Sequence, residues 1–151
     1  MLHAHHYALA FAPSTLPPVP AYETHYYPQV VDHFHGDGQE AARKWPQRYL
    51  YADTYWGSRG ALSNGCKGPI LFYTGNEGPI PAFWGSNGFM QQVLAPKLGA
   101  LLVFAEERYY GPPHAQPEGG GGFHFLSTEQ ARRRSCHLNP SPTSELLSGR
   151  F

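Results

Sequence analysis

Hydrophobic and polar positions along this chain change their period segment by segment, and the changes mark out its elements. The stretch Tyr22-Glu-Thr-His-Tyr-Tyr-Pro-Gln-Val-Val-Asp-His-Phe34 mixes aromatic and β-branched residues as strands do. Pro28 within it predicts an edge strand or a break, because proline has no N–H for a ladder. Gly36-Asp-Gly38 marks a turn. From Gln47 to Trp56, Tyr49, Tyr51, Asp53 and Tyr55 alternate with Leu50, Ala52, Thr54 and Trp56, a period of two that predicts a second strand. A turn-rich loop follows from Gly57 to Gly68.

The clearest strand is Pro69-Ile-Leu-Phe-Tyr-Thr74, an apolar run that closes on Gly75-Asn-Glu-Gly78. Residues 79–87 read as a loop containing proline and tryptophan. Gly88 to Leu98 then reads as a short helix, with Phe89, Met90, Val93 and Leu94 at helical spacing, Pro96 bending or stopping it and Gly99 ending it. Ala100-Leu-Leu-Val-Phe-Ala105 is another apolar strand, closing on Glu106-Glu-Arg-Tyr-Tyr-Gly111. Strand, helix and strand with short links predict a βαβ unit and a parallel pair. Beyond this, Pro112 to Gly122 is rich in proline and glycine. Leu126-Ser-Thr-Glu-Gln-Ala131 offers a helix start capped by Ser127 or Thr128. Arg132-Arg-Arg-Ser-Cys-His-Leu-Asn-Pro-Ser-Pro is expected to break that helix within a turn or two.

Three segments are therefore expected: a flexible leader over residues 1–21, a partial α/β domain over 22–131 and an unrelated disordered tail over 132–151. Composition agrees with a packed centre. Hydrophobic residues make up 41% and charged residues 15%, which excludes a highly charged disordered chain. The formal net charge is zero and no basic stripe occurs, so nucleic acid is excluded as an expected partner. No run approaches the ~18 apolar residues of a membrane helix, and no membrane partner is expected. Tyr7 to Ala12 is a short apolar stretch without a preceding Lys or Arg, a weak secretory signal.

The two cysteines, Cys66 and Cys136, form no C-x-x-C, and their spacing leaves pairing open. His3, His5 and His6, and then Asp32, His33, His35 and Asp37, invite a metal reading. Nothing supplies the remaining ligands at a usual zinc spacing, so neither a metal nor another cofactor is expected. Asn139 precedes Pro140, and no Asn-x-Ser/Thr acceptor exists.

Taken together, Val31-Asp-His-Phe34 with Gln47-Arg-Tyr49, Ile70-Leu-Phe-Tyr-Thr-Gly-Asn-Glu-Gly78 and Ala100-Leu-Leu-Val-Phe-Ala-Glu-Glu-Arg-Tyr-Tyr-Gly111 resemble the family of lysosomal Pro-X carboxypeptidase and dipeptidyl peptidase II. Ser127-Thr-Glu-Gln-Ala131 resembles a fourth block. The resemblance covers residues 22–131 and implies the N-terminal part of an α/β-hydrolase fold, with about four strands and one or two helices. It also implies a Ser-Asp-His triad, peptide substrates cut next to proline, and a lysosomal or secreted location.

In that fold the nucleophile sits on a Gly-x-Ser-x-Gly elbow after the fifth strand. None of the nine serines here has glycine two residues away on both sides. The chain is thus expected to be a fragment that does not catalyse alone, its tail after Ala131 the product of a frameshift, missplicing or misprediction. By the same resemblance, Gly75, Asn76, Glu77 and Gly78 are candidates for the oxyanion hole and substrate cleft, against the plainer alternative of a turn that only ends a strand. Glu106, Glu107 and Arg108 end a strand at the same sheet edge, where open α/β sheets bind ligands. An ion pair fixing the loop is the expected role there rather than catalysis. With the rest of the fold missing, Ile70–Phe72 and Leu101–Phe104 are expected to present open apolar faces and an unpaired edge, a route to self-association or to binding a full-length partner.

Overall fold

The computed structural model describes residues 15–34, 43–56, 68–117 and 123–138. Four strands form one sheet: β1 (Glu23–Val30), β2 (Lys44–Ala52), β3 (Ile70–Tyr73) and β4 (Leu101–Ala105), in the spatial order β1-β2-β4-β3. β1 pairs antiparallel with β2, β2 antiparallel with β4, and β3 parallel with β4. The expected parallel pair is thus present, and two antiparallel strands extend it on one side.

Pro28 lies within β1 without breaking it. β1 is an edge strand, and Pro28 stands opposite Pro46. The Val31 N–H donates to the Arg43 oxygen at 2.9 Å, so with alternating geometry the odd-numbered β1 positions exchange hydrogen bonds and position 28 does not. Two prolines therefore face each other where neither is asked for a cross-strand N–H.

β2 begins three residues earlier than its alternation suggested and ends at Ala52, where residues 54–56 turn away. Trp45, Gln47 and Tyr49 face one side and Leu50 and Ala52 the other, all buried. On one face of the sheet, Leu50, Ala52, Leu102 and Phe104 pack against Ile80, Trp84 and Ala95 from the helices. On the other, Tyr49, Leu101, Val103 and Ala105 lie beneath half-buried Tyr27, Tyr51, Trp56, Ile70 and Phe72. This corrects the expectation of open faces along β4. Leu101, Leu102 and Phe104 are 0% exposed because β4 is an inner strand with helices over one face and aromatic rings over the other. Only β3 keeps half-buried residues throughout, and no described strand pairs with its outer side.

The crossover between β3 and β4 holds more helix than expected. Residues read as a loop form α1 (Ile80–Ser86), with Pro81 in the first turn, where its missing N–H has no helical partner to lose. A π-helical segment, Phe89–Leu94, continues into α2 (Ala95–Leu98), which stops at Gly99 in the left-handed conformation at φ 59°. The wider π turn rotates the buried face. Gln91 and Ala95 point inward, whereas Phe89 is exposed and Val93 and Leu94 are only half-buried. Pro96 sits in the first turn of α2 and does not interrupt the helical path.

Two expected segment boundaries fall within the described residues. α3 (Thr128–Leu138) runs through Arg132–Arg134, because arginine is a good helix former, and ends about two turns after Ala131, ahead of the proline at 140. Residues 15–21, the described part of the expected flexible leader, carry no helix or strand, bend at Leu16 and are tied to the helices: Gln92 Nε2 donates to the Pro17 oxygen at 2.6 Å and Trp84 Nε1 to the Pro20 oxygen at 3.2 Å. His3, His5, His6, His35, Asp37, Cys66 and Asn139 lie outside the described residues. Among those described, no helix is long and apolar enough to cross a membrane and no three His, Cys, Asp or Glu side chains could hold a metal ion.

Candidate active-site cleft

A cleft of about 270 Å³ opens at the carboxyl ends of β3 and β4, lined by Gly75, Asn76, Glu77, Glu107, Tyr110, Leu126, Ser127, Thr128 and Ala131. Ligands of open α/β sheets bind at this end of the strands. Three segments far apart in sequence meet here: the loop after β3, the loop after β4 and the start of α3.

The first loop depends on the absence of a side chain. Gly75 has φ 85°, and a Cβ there would stand 2.6 Å from the Ala105 oxygen and 2.6 Å from the Glu107 nitrogen. The backbones after β3 and β4 therefore touch, which only glycine permits. Asn76 then folds the loop on itself. Its Oδ1 accepts the Glu77 N–H at 2.8 Å and its backbone oxygen accepts the Gly78 N–H at 2.7 Å. Those two amides are consumed within the turn. The Asn76 backbone N–H and side-chain Nδ2 make no such bond among the described residues, and Asn76 lines the cleft. Gly78 lies off the cleft, against the Phe83 ring.

The second loop depends on buried polar groups. Glu106 is fully buried. Its Oε2 accepts from Arg48 Nε, and its Oε1 accepts the Ile80 N–H at 2.7 Å, the first turn of α1. One carboxylate thus ties β2, the end of β4 and the start of α1 beneath the loop at residues 75–79. Gln47 donates from Nε2 to the Glu106 backbone oxygen at 2.7 Å and accepts at Oε1 from Gln29 Nε2 at 3.0 Å. Arg108, also buried, donates from Nη1 to the Val31 oxygen at 2.8 Å, and its N–H donates to Glu107 Oε1 at 2.8 Å. The partner of Glu106 is Arg48 from β2, a pairing the local Glu-Glu-Arg spacing did not indicate. Neither Glu106 nor Arg108 reaches the cleft; Glu107 does.

Tyr109 follows with φ 70°, a left-handed conformation that costs a residue with a Cβ roughly 1–2 kcal/mol. It is held there by the Phe125 N–H, which donates to its hydroxyl at 3.3 Å, and by edge contact with the Phe123 ring at 5.4 Å. The reversal lets the next residue, Tyr110, line the cleft.

α3 closes the third side. Ser127 Oγ accepts the Gln130 N–H at 3.2 Å, which makes Ser127 the cap. The Ser127 and Gln130 spacing matches a capping box, but the Gln130 side chain goes elsewhere. Its Oε1 accepts the His33 N–H at 3.0 Å and its Nε2 donates to Asp32 Oδ1. Arg133 lies 5.9 Å above the Phe34 ring. The Val31–Phe34 turn is thereby clamped between α3 and Arg108. Glu129 has its carboxyl held below the usual range by its own backbone N–H, then by Ser127 and Arg132. Tyr110, Leu126 and Thr128 were not singled out by the sequence as cleft residues; the signal available was the Tyr-Tyr-Gly and Ser-Thr-Glu-Gln-Ala blocks that carry them.

A mixed four-stranded sheet whose glycine loop and strand-end charges bound one cleft is the opening of an α/β-hydrolase. Comparison with known proteins makes that class specific. The family model described as serine carboxypeptidase S28 matches residues 29–133. Lysosomal Pro-X carboxypeptidase of Homo sapiens is 45% identical over 126 residues, covering 79% of this chain and 23% of that protein. The Bos taurus protein of the same name is 46% identical over 116 residues, 73% of this chain and 21% of that protein. Prolyl carboxy peptidase like protein 5 of Caenorhabditis elegans is 61% identical over 44 residues, 29% of this chain and 8% of that protein. This chain belongs to the serine carboxypeptidase S28 family. It spans less than a quarter of the length of these relatives.

Proposed function

We propose that these residues build one wall of the substrate cleft of a serine-type exopeptidase that cleaves peptides next to proline. The observation that carries this reading is the meeting of Gly75–Glu77, Glu107–Tyr110 and Ser127–Ala131 around a single cleft at the strand ends. In this reading the Asn76 N–H and Nδ2 face the oxygen that gains charge as a peptide carbonyl is attacked. A fixed donor acts there without reorganising, and losing one such donor costs about 10²–10³ in rate. Glu106 and Gly75 hold that loop in place from beneath, and Glu107 and Tyr110 face the bound peptide. None of the nine serines lies in a Gly-x-Ser-x-Gly elbow, so in this reading these residues do not supply the nucleophile and the chain by itself does not hydrolyse peptides. Its lysosomal relatives support a lysosomal or secretory destination.

The test is hydrolysis of a proline-containing dipeptide reporter by the purified chain, alongside labelling with a fluorophosphonate. No turnover and no labelling are expected from these residues alone. Turnover with labelling of one serine would overturn the division of labour proposed here. In a longer product carrying a Gly-x-Ser-x-Gly elbow, turnover should appear and should fall sharply on Asn76→Ala.

A second reading has its own observation. β3 is half-buried and lacks a described partner on its outer side. An edge of that kind adds strands from other chains. In this reading the chain is a non-catalytic product that associates with a full-length partner or with itself through β3. Sedimentation of the purified chain distinguishes the two, because a lasting monomer at high concentration is incompatible with edge association.

A further inference from the structure

Away from the cleft, the segment before β1 lies on the helices in a manner that the peptidase reading does not use. Leu16, Pro17 and Val19 each precede a proline, and positions 17, 18 and 20 are prolines. Prolines fix φ at 17, 18 and 20, and the residue before each proline is turned away from helical backbone, so the segment favours polyproline-like conformation after the bend at Leu16. In a polyproline II helix, which has three residues per turn, the carbonyls of residues three apart lie on one side. Two side chains of the crossover helices donate to such a pair: Gln92 Nε2 to the Pro17 oxygen and Trp84 Nε1 to the Pro20 oxygen. Pro20 is buried, and Tyr22 sets its ring edge-on to Trp84 with centroids 5.1 Å apart. Trp84 itself packs inward at a tilt against Phe104, with centroids 4.7 Å apart, so its donor is fixed from within the core. An indole N–H and a second donor reading backbone carbonyls on one edge of a proline-rich strand is the chemistry by which dedicated modules bind proline-rich peptides.

We infer that the face of α1 and the π-helical segment around Trp84 and Gln92 is a recognition site for a proline-rich peptide, occupied in this structure by the chain's own residues 15–22. The pattern it reads is two carbonyls three residues apart, the second from a buried proline, with an aromatic residue two positions on. The tethered segment has an effective concentration in the millimolar range, so a peptide in trans reaches the site only when the tether is weakened. The inference is independent of whether the cleft is catalytic.

The test uses the full chain with Pro17→Gly and Pro20→Gly together, which frees the segment's backbone and removes the buried ring. Iodide quenching of tryptophan fluorescence should rise, because Trp84 is 3% exposed beneath the segment. Adding a synthetic Thr-Leu-Pro-Pro-Val-Pro-Ala-Tyr peptide should restore protection saturably, and the same peptide with glycine for its prolines should not. Adding Gln92→Ala, which leaves the core untouched, should weaken the peptide about fivefold, as loss of one hydrogen bond does. Trp84→Phe should weaken it at least as much. Unchanged quenching on loosening, equal binding of the glycine peptide, or protection regained through dimer formation without peptide would each overturn the inference. Circular dichroism confirms that each variant keeps its sheet.

Discussion

The two loops that bound the cleft solve the same positional problem by opposite means. The loop after β3 is placed by what it lacks: Gly75 brings two backbones to contact distance and adopts φ 85° without penalty. The loop after β4 is placed by what it buries: Glu106 and Arg108 are wholly enclosed, and Tyr109 is kept at φ 70° by contacts with Phe125, sixteen residues downstream, and Phe123. The first arrangement rests on backbone contact with Ala105 and Glu107 and calls on no side chain at position 75. The second holds only while its partners in β1, β2 and the residues before α3 are present, which makes it the more fragile wall.

That difference can be broken at Glu106. Glu106→Ala leaves Arg48 and the Ile80 N–H without their acceptor, and removing one partner of a buried ion pair costs about 3–5 kcal/mol. The urea midpoint should collapse or the transition disappear, whereas Glu106→Gln, which keeps an acceptor for Ile80, should retain part of the loss. A Glu106→Ala variant as stable as the parent would show that the buried carboxylate does not hold this wall. Gly75→Ala comes next. Its Cβ would meet backbone rather than a movable side chain, so about 2 kcal/mol or more should be lost by strain and forced separation of the loops. The comparison predicts that this loss is confined to the cleft: hydrogen exchange should quicken around residues 74–79 and 105–107 while β1 and β2 keep their protection.

A smaller effect of the opposite sign is expected at Gln91. Its amide is buried and neither of its polar atoms has a partner among the described residues. Gln91→Met keeps the volume and removes the unpaired groups, so stability should rise by about 1 kcal/mol. Unchanged or lower stability in urea would mean that the amide is satisfied in solution. The smallest effect lies in the antiparallel half of the sheet. Burial raises the hydroxyl pKa of Tyr49 above its ordinary value of 10.0, with Tyr51 adding to it; Tyr51 is raised by burial, then by Asp53 and Glu23. A raised pKa means the folded chain holds these protons more tightly than the unfolded one. Their contribution is complete below pH ~10 and is lost as pH rises through the folded-state values. The urea midpoint should therefore decline above pH 10, and less so in Tyr49→Phe.

Much of the β-rich framework was legible in the sequence because its signals are local. Apolar runs fixed β3 and β4, alternation fixed the body of β2, and Gly99 marked the helix end where the chain does turn left-handed. Pro28 pointed to an edge strand or a break, and the edge strand is what forms. The helical crossover was only partly legible, for physical reasons. Pro81 looks like a breaker in one dimension but occupies a first turn, where it breaks nothing. The π turn shifts which residues face inward: of Phe89, Met90, Val93 and Leu94, Met90 packs against the core while Phe89 is exposed and Gln91 is buried instead.

For the cleft, the residues themselves determined the glycine loop, the capping serine and the motif blocks that carry family membership. Tertiary structure alone decided the partners. Arg48 is nearly sixty positions from Glu106, Val31 more than seventy from Arg108, and Asp32 almost a hundred from Gln130. No local period encodes such pairings. They exist because the sheet order β1-β2-β4-β3 brings distant strand ends together, where a buried polar group must find a partner or destabilise the fold.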